Sequence, residues 1–311
     1  MSKVKIITVV CWMISALAIL GLAAWFIFSG VLDIGRGGIF FFSVGNFEAV
    51  HESRIPADGI NSLDIDWTSG RISIRTHGGN YIQVTEFAPR ELRENEQHHQ
   101  IISGSTLSIE FMQGRNMRNM PSKNLEILVP RENFASVNIR SISGRIDIFG
   151  LYANMLDLRS TSGRVEIFNS DVNVVNLHST SGRIEISGTN ADVMNLRSVS
   201  GRVELLNTQV RNLGIESTSG RQYLTGSFDI LNLRSVSGRI EIDSNTIPQN
   251  LVAHATTGRI SVTVPNTAEP IAVFHSSSSG RFTSNIPVIT GAVEPQFRLT
   301  TTSGRIEINA R

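Results

Sequence analysis

The 311-residue chain contains a single cysteine, Cys11, which excludes an internal disulfide framework and any cysteine-based zinc site. Its seven histidines are scattered, with no pair at the i, i+4 spacing of a metalloprotease helix. An excess of charge of one sign is also missing. The 28 Lys+Arg face 27 Asp+Glu, a formal +1, so no overall basic field exists to hold nucleic acid. Lysine is nearly absent, at Lys3, Lys5 and Lys123 only, so the cations are almost all planar guanidiniums. Proline is scarce, at 9 residues against 26 glycines, which points to many tight turns. An apolar share of 41% fits neither a disordered chain nor a transporter of many spans.

What is present begins with one long apolar run. Lys3 and Lys5 precede uncharged residues from Ile6 to Phe28. As helix at ~1.5 Å per residue these span ~34 Å, enough for a hydrocarbon core of ~30 Å. A cleavable signal peptide has an apolar region of only ~7–15 residues. Residues 1–30 are therefore read as a signal-anchor transmembrane helix, with a signal peptide cut near Ala23-Ala24 as the alternative. The lysines favour a cytoplasmic N-terminus. Both readings put the rest of the chain outside the cytoplasm, so the expected localisation is the cell membrane, single-pass. Residues 31–45, with Gly35, Gly37 and Gly38 before Ile39-Phe40-Phe41-Phe42, read as a linker. A segment lying on the membrane surface is the other reading, with Arg36 its only phosphate-holding cation.

From residue 131 onward the chain repeats. A Ser/Thr-Gly-Arg triplet places its glycine at 70, 144, 163, 182, 201, 220, 238, 258, 280 and 304. From Gly144 to Gly220 the interval is 19 each time. In one unit Leu177 and Ser179 alternate with His178 and Thr180, and after Gly182 Ile184 and Ile186 alternate with Arg183 and Glu185. That is the period of half-buried strands on both sides of a glycine that resets the parity. Turn residues Asn169-Ser170-Asp171 and Gly188-Thr189-Asn190 form a second corner. A unit this short cannot bury its own aliphatics, but stacked copies can. Propeller blades need ~40–50 residues, about twice the period, whereas solenoid coils fit. The expected fold is all-β, a single-stranded β-solenoid with coils of ~19 residues preceded by one N-terminal transmembrane helix. Leu158, Leu177, Leu196, Ile215 and Leu233, with Val165, Ile184, Val203 and Ile240, should form its buried ladders. In the coil with Arg221-Gln222-Tyr223-Leu224, Gln222 replaces the buried aliphatic and a distortion is expected.

Residues 46–130 are strand-rich but irregular, with a polar interruption from Pro89 to Gln100, and read as first coils and a cap on the same stack. Their opening, Ile65-Asp66-Trp67-Thr68-Ser69-Gly70-Arg71-Ile72-Ser73-Ile74, precedes a strand ending Val129-Pro130 and then serial Ser-Gly-Arg-Ile-Glu-Ile units. This pattern resembles the bacterial β-strand-repeat family of putative adhesins, a domain of unknown function, over roughly residues 46–311. The resemblance implies an envelope-associated, often membrane-anchored solenoid with no catalytic residues to carry over.

No phosphate loop, nucleophile elbow or metal-ligand cluster appears, so no catalytic, cofactor-binding or metal residue and no cofactor is assigned. The patterned chemistry is an outward Arg-x-acid pair in each coil: Arg145/Asp147, Arg164/Glu166, Arg183/Glu185, Arg202/Glu204, Arg239/Glu241 and Arg305/Glu307. Stacked, they make a cationic and an anionic ladder. These either offset each other and keep the sheet soluble, or present Arg145, Arg164, Arg183, Arg202 and Arg239 to anionic polymers such as teichoic acids or lipopolysaccharide. A second outward row is Arg140, Arg159, His178, Arg197, Glu216, Arg234, His254 and His275, and two serine rows (Ser160 to Ser235 and Ser162 to Ser237) face inward or lie at the corner, where they are expected to hydrogen-bond between coils. The chain stops after Ile306-Glu307-Ile308-Asn309-Ala310-Arg311, one strand of the repeat, so that strand is expected at an open end. Charge then guards the edge, or the edge pairs weakly with a second copy. The functional expectation is a non-catalytic, adhesin-like binding or structural module of the cell envelope. Its partners would be the membrane and anionic polymers or another envelope protein, with no nucleic acid. The rival readings are an accessory protein of envelope-stress signalling and a polysaccharide-acting β-helix enzyme.

Overall fold

A computed structural model describes residues 47–111, 121–290 and 296–311. The helix expected at 1–30 and the linker at 31–45 lie outside these residues. Among the described residues no helix is long and apolar enough to cross a membrane. What is described is almost entirely strand, with one 3-10 turn, Glu94–Glu96, inside the polar interruption.

Consecutive repeats stack as parallel strands in a 19-residue register. Strand β8 (Tyr152–Phe168) pairs with β9 (Asp171–Ser187) so that Leu158 meets Leu177, Gly163 meets Gly182 and Ile167 meets Ile186. The stack continues through β10 (Asn190–Ser200), β11 (Val203–Ser244), β12 (Asn250–Thr257) and β13 (Ile260–Val264). All nine of the aliphatics expected in the two ladders are buried. Each burial removes apolar surface worth about 1.5–3 kcal/mol, which only the neighbouring coils can supply. Besides the glycine corner and the turn, a third bend lies at Asn154-Met155. Two consecutive exposed residues there break the alternation between buried Ala153 and buried Leu156.

The glycine corner does more than turn the chain. At Gly182 φ is +131°, and a Cβ would lie 1.7 Å from the carbonyl oxygen of Gly163 in the coil below. The same contact repeats along Gly70, Gly144, Gly163, Gly182, Gly201, Gly220, Gly238, Gly258, Gly304 and Gly280, in that spatial order. Any side chain would therefore push two coils apart, and at every corner except Gly238 and Gly280, where φ is not positive, it would also strain its own backbone.

That spatial order departs from the sequence at both ends. Strand β2 (Ser62–His77) lies between β7 (Phe134–Phe149) and a coil made later in the chain from β5 (Thr106–Glu110) and β6 (Asn124–Pro130). Antiparallel strands close this end: β1 (Glu48–Pro56) on β3 (Tyr81–Ala88), β3 on β6, and β4 (His99–Ser103) on β5. At the other end β17 (Phe297–Ser303) and β18 (Ile306–Ala310) lie between β12/β13 and the coil of β14 (Ile271–Ser279) and β15 (Phe282–Ser284). The open end expected at 306–311 is therefore incorrect. Ile306 pairs with Ile260 on one side and Phe282 on the other, and the outermost coil is the earlier segment 271–290.

Two smaller expectations also change. The Gln222 coil is not broken, since β11 runs without interruption from Val203 to Ser244. Buried Gln222 donates through Nε2 to Ser217 Oγ and to the Arg234 carbonyl, both at 2.8 Å, which offsets the loss of an aliphatic. The inner serines are buried as expected but seldom link coils. Ser217 donates to Ser235 at 3.4 Å, Ser179 to Ser181 O in its own coil, and the hydroxyls of Ser141, Ser160 and Ser198 have no partner among the described residues.

The glycine column sets a direct expectation for stability. Gly182→Ala should cost more than about 4 kcal/mol in urea unfolding, because it combines backbone strain with an unavoidable clash between coils. A cost below about 1 kcal/mol would show that the coils can separate locally.

Candidate functional site

The Arg-x-acid pairs lie just past the glycine corner and interlock between coils. Arg145 Nε is 2.6 Å from Asp147 Oδ1, and its other arm pairs with Glu166 of the next coil. Arg164 is 3.1 Å from Glu166. Arg183 is 3.2 Å from Glu185 and also pairs with Glu204, which Arg202 meets at 3.2 Å. Arg239 is 3.1 Å from Glu241, which also takes Arg221. All five guanidiniums of the sequence-derived ladder are thus engaged by carboxylates.

The carboxylates are not on display, although strand parity points them outward. The side chains of Asp147, Glu166 and Glu204 are 0%, 5% and 9% exposed, because the guanidiniums of adjacent coils fold over them. Burial pushes the Asp147 carboxyl above its ordinary range, against the pull of Arg145 and Arg71. The ladder reads as internal ionic scaffolding over much of its length.

The compensation fails towards one end. Down the stack the acid position runs Glu241, Ser261, Glu307, Thr283. The arginine two residues before each is Arg239, Arg259, Arg305 and Arg281, following the glycine order 238, 258, 304, 280. Arg305 keeps Glu307 at 3.0 Å. Exposed Arg259 and Arg281 have no acidic partner among the described residues. Three guanidiniums on consecutive coils, ~4.8 Å apart, therefore face solvent with one carboxylate between them.

Before the corner, a second face carries the other outward row. Arg140 pairs with Asp64 at 3.3 Å, Arg159 with Asp157 at 3.3 Å and Arg197 with Glu216 at 3.0 Å. His254 Nδ1 lies 2.8 Å from Thr300 Oγ1. His275 does not belong to this row. Its register partner is the inward Leu299, and its ring stacks on Phe282 at 4.0 Å. An open groove of about 670 Å³ runs along this face from Asp157 to Asn232. Among the described residues no group of three or more His, Cys, Asp or Glu could hold a metal ion.

A family profile described as Toastrack DUF4097 matches residues 60–309. The chain belongs to the Toastrack family. Solved structures similar to this Toastrack chain include a putative adhesin from Parabacteroides distasonis ATCC 8503, with 12% identity and a TM-score of 0.54, covering 85% of this chain and 98% of that one. A putative adhesin from Bacteroides fragilis NCTC 9343 also matches, with 12% identity and a TM-score of 0.48, covering 84% and 96%. No curated protein sequence matches the chain significantly. At such identity the Parabacteroides likeness establishes the shared fold.

One buried cluster in the Toastrack cap escaped the sequence reading. Lys123, the only lysine beyond residue 5, is fully buried. Its Nζ lies 2.5 Å from Glu86 Oε1 and donates to the carbonyls of Glu96 and Phe111. The rings of Phe111 and Trp67 lie 4.3 and 5.2 Å away. Glu86 Oε2 accepts from His98 N and lies 3.1 Å from His98 Nδ1. Trp67 Nε1 donates to Lys123 O, the same carbonyl on which Gly70 rests. The cluster therefore clamps the antiparallel cap to the first glycine of the column. The only sequence signal was the rarity of lysine.

Burial alone would raise the Glu86 carboxyl, but hydrogen bonds from His98 and Lys123 and the ammonium charge hold it below its ordinary value. Its stabilising contribution is thus fully present above the ordinary carboxylate pKa and disappears as pH falls through the lowered folded value. Glu86→Gln should cost about 3–5 kcal/mol at pH 7, because it strands a buried ammonium. The gap from wild type should narrow in acid, as read by urea unfolding at both pH values. A gap independent of pH would show that the carboxylate charge is not what holds the cap.

Proposed function

We propose that this Toastrack chain is a non-catalytic, extracytoplasmic binding module, anchored by residues 1–30, that takes anionic envelope polymers along Arg259, Arg305 and Arg281. The observation that carries this reading is the local failure of charge compensation. Over Arg145, Arg164, Arg183 and Arg202 each guanidinium already has carboxylate partners, whereas Arg259 and Arg281 have none among the described residues. Guanidiniums with open donors bind phosphate or carboxylate in bidentate fashion, and regular spacing along a rod suits a polymer with repeated anions. Arg145, Arg164, Arg183, Arg202 and Arg239 then continue the column as a braced, charge-balanced stem. The adhesin name carried by the Parabacteroides protein of the same fold is in keeping with binding. The uncharged run Ile6–Phe28 behind Lys3 and Lys5 supports the anchor.

The test is retention of lipoteichoic acid and lipopolysaccharide by the purified protein at low and high salt. Each charge-assisted contact is worth about 1.5–3 kcal/mol, so Arg259→Ala with Arg281→Ala should weaken binding about tenfold or more. Salt should weaken wild-type binding as well. Arg164→Ala, in the compensated stem, should leave binding unchanged. Equal losses from both sites, or retention that is indifferent to salt, would sink the proposal. For the topology, protease added to spheroplasts should digest the chain beyond residue 46, and full protection there would refute the extracytoplasmic placement.

A further inference from the structure

Gly214 is a glycine that its backbone does not require. It lies within β11 and pairs one-to-one with Asn195, in a register that stays unbroken through Leu196↔Ile215, so it marks no bulge. Its φ is not positive. A Cβ there would meet only the Oδ1 of Asn195, at 3.2 Å, and Met194 O at 4.0 Å, whereas at the corner glycines it would lie 1.6–2.0 Å from a backbone oxygen. Glycine inside a strand costs about 0.5–1 kcal/mol relative to alanine. Without a bulge or bend to explain it, the glycine leaves open a place where a ligand can approach the strand closely.

The surroundings indicate which kind of molecule. At 19-residue spacing the outward column reads Asn138, Asp157, Asn176, Asn195 and Gly214, followed by Asn232. The amides form a ladder, with Asn195 Nδ2 donating to Asn176 Oδ1 at 3.1 Å, and Gly214 interrupts it. The gap opens into the 670 Å³ groove between Asn195 and Asn232, beside the Arg197–Glu216 pair. These four side chains are planar, with paired donors or acceptors, the arrangement that matches vicinal hydroxyls. The lining is otherwise polar or aliphatic, and its one ring is the imidazole of His178.

We propose that the Gly214 gap is a subsite for one pyranose ring of an extended oligosaccharide lying along the stack in this groove. Coils follow one another every ~4.8 Å, close to the length a β-1,4-linked sugar adds to an extended chain, so successive sugars meet successive coils. The site is separate from the Arg259 column and does not depend on it.

The experiment is calorimetric titration of the purified full chain, in a detergent without a sugar headgroup, with cellotetraose and chitotetraose. The wild type should bind at least one of them. Gly214→Asn restores the missing rung, so it should melt at or above the wild-type temperature and bind at least tenfold more weakly. Asn195→Ala should also weaken binding, with little change in melting. The Arg259→Ala/Arg281→Ala variant should bind the tetrasaccharide as wild type does, whatever its effect on polyanions. Absence of wild-type binding to both sugars, unchanged binding by Gly214→Asn, or a marked drop in its melting temperature would each overturn the proposal.

Discussion

The contact between a glycine and the carbonyl of the glycine one coil away governs this molecule. It permits a spacing between coils at which parallel strands bond continuously and the aliphatic ladders meet. The corner needs φ near +131° at Gly163 and Gly182, and the neighbouring coil needs the space a Cβ would take. One residue type answers both demands, so the triplet recurs whatever else varies around it. The side chains flanking it inherit a fixed spacing, and every outward column is a consequence.

Fixed spacing creates an electrostatic problem, because identical charges in adjacent coils would repel along the whole rod. Here arginine and acid share the same face two residues apart, and Asp147, Glu166, Glu204 and Glu241 are each bridged by guanidiniums from two coils. Burial of Asp147 and Glu166 beneath those arginines shows how far the compensation goes. A column balanced so completely makes its exceptions meaningful. Ser261 and Thr283 sit where acids are due, and Gly214 where an amide is due.

Much of this was legible in the sequence because the order is local and periodic. The 19-residue interval, the alternation around each Gly and the buried Leu and Ile rows follow from neighbours along the chain. What was not legible depends on pairing at long range. Nothing in the text of Ile306–Ala310 says that it joins residues 260 and 282 on its two sides. Parity placed Glu166 outside correctly, but could not show that Arg145 of another coil would cover it. Glu86, His98 and Lys123 lie far apart in sequence, and only their folded proximity makes the cap clamp. The Arg259–Arg305–Arg281 column is invisible until the true stacking order is known.

That order has a consequence for how the domain is made. In a simple solenoid each coil docks on the one already synthesised, and assembly can follow the chain as it emerges. Here coil 297–310 must enter between coil 250–264 and the coil that precedes it in the chain, and coil 62–77 waits for 106–130 and 134–149. Both extremities close like clasps, over loops whose entropy must be lost before any ladder forms. Unzipping from either tip is correspondingly opposed, since the outermost coil at each end is tethered through an inner one. A rod of repeats, which would otherwise fray one unit at a time, is held as a single cooperative body.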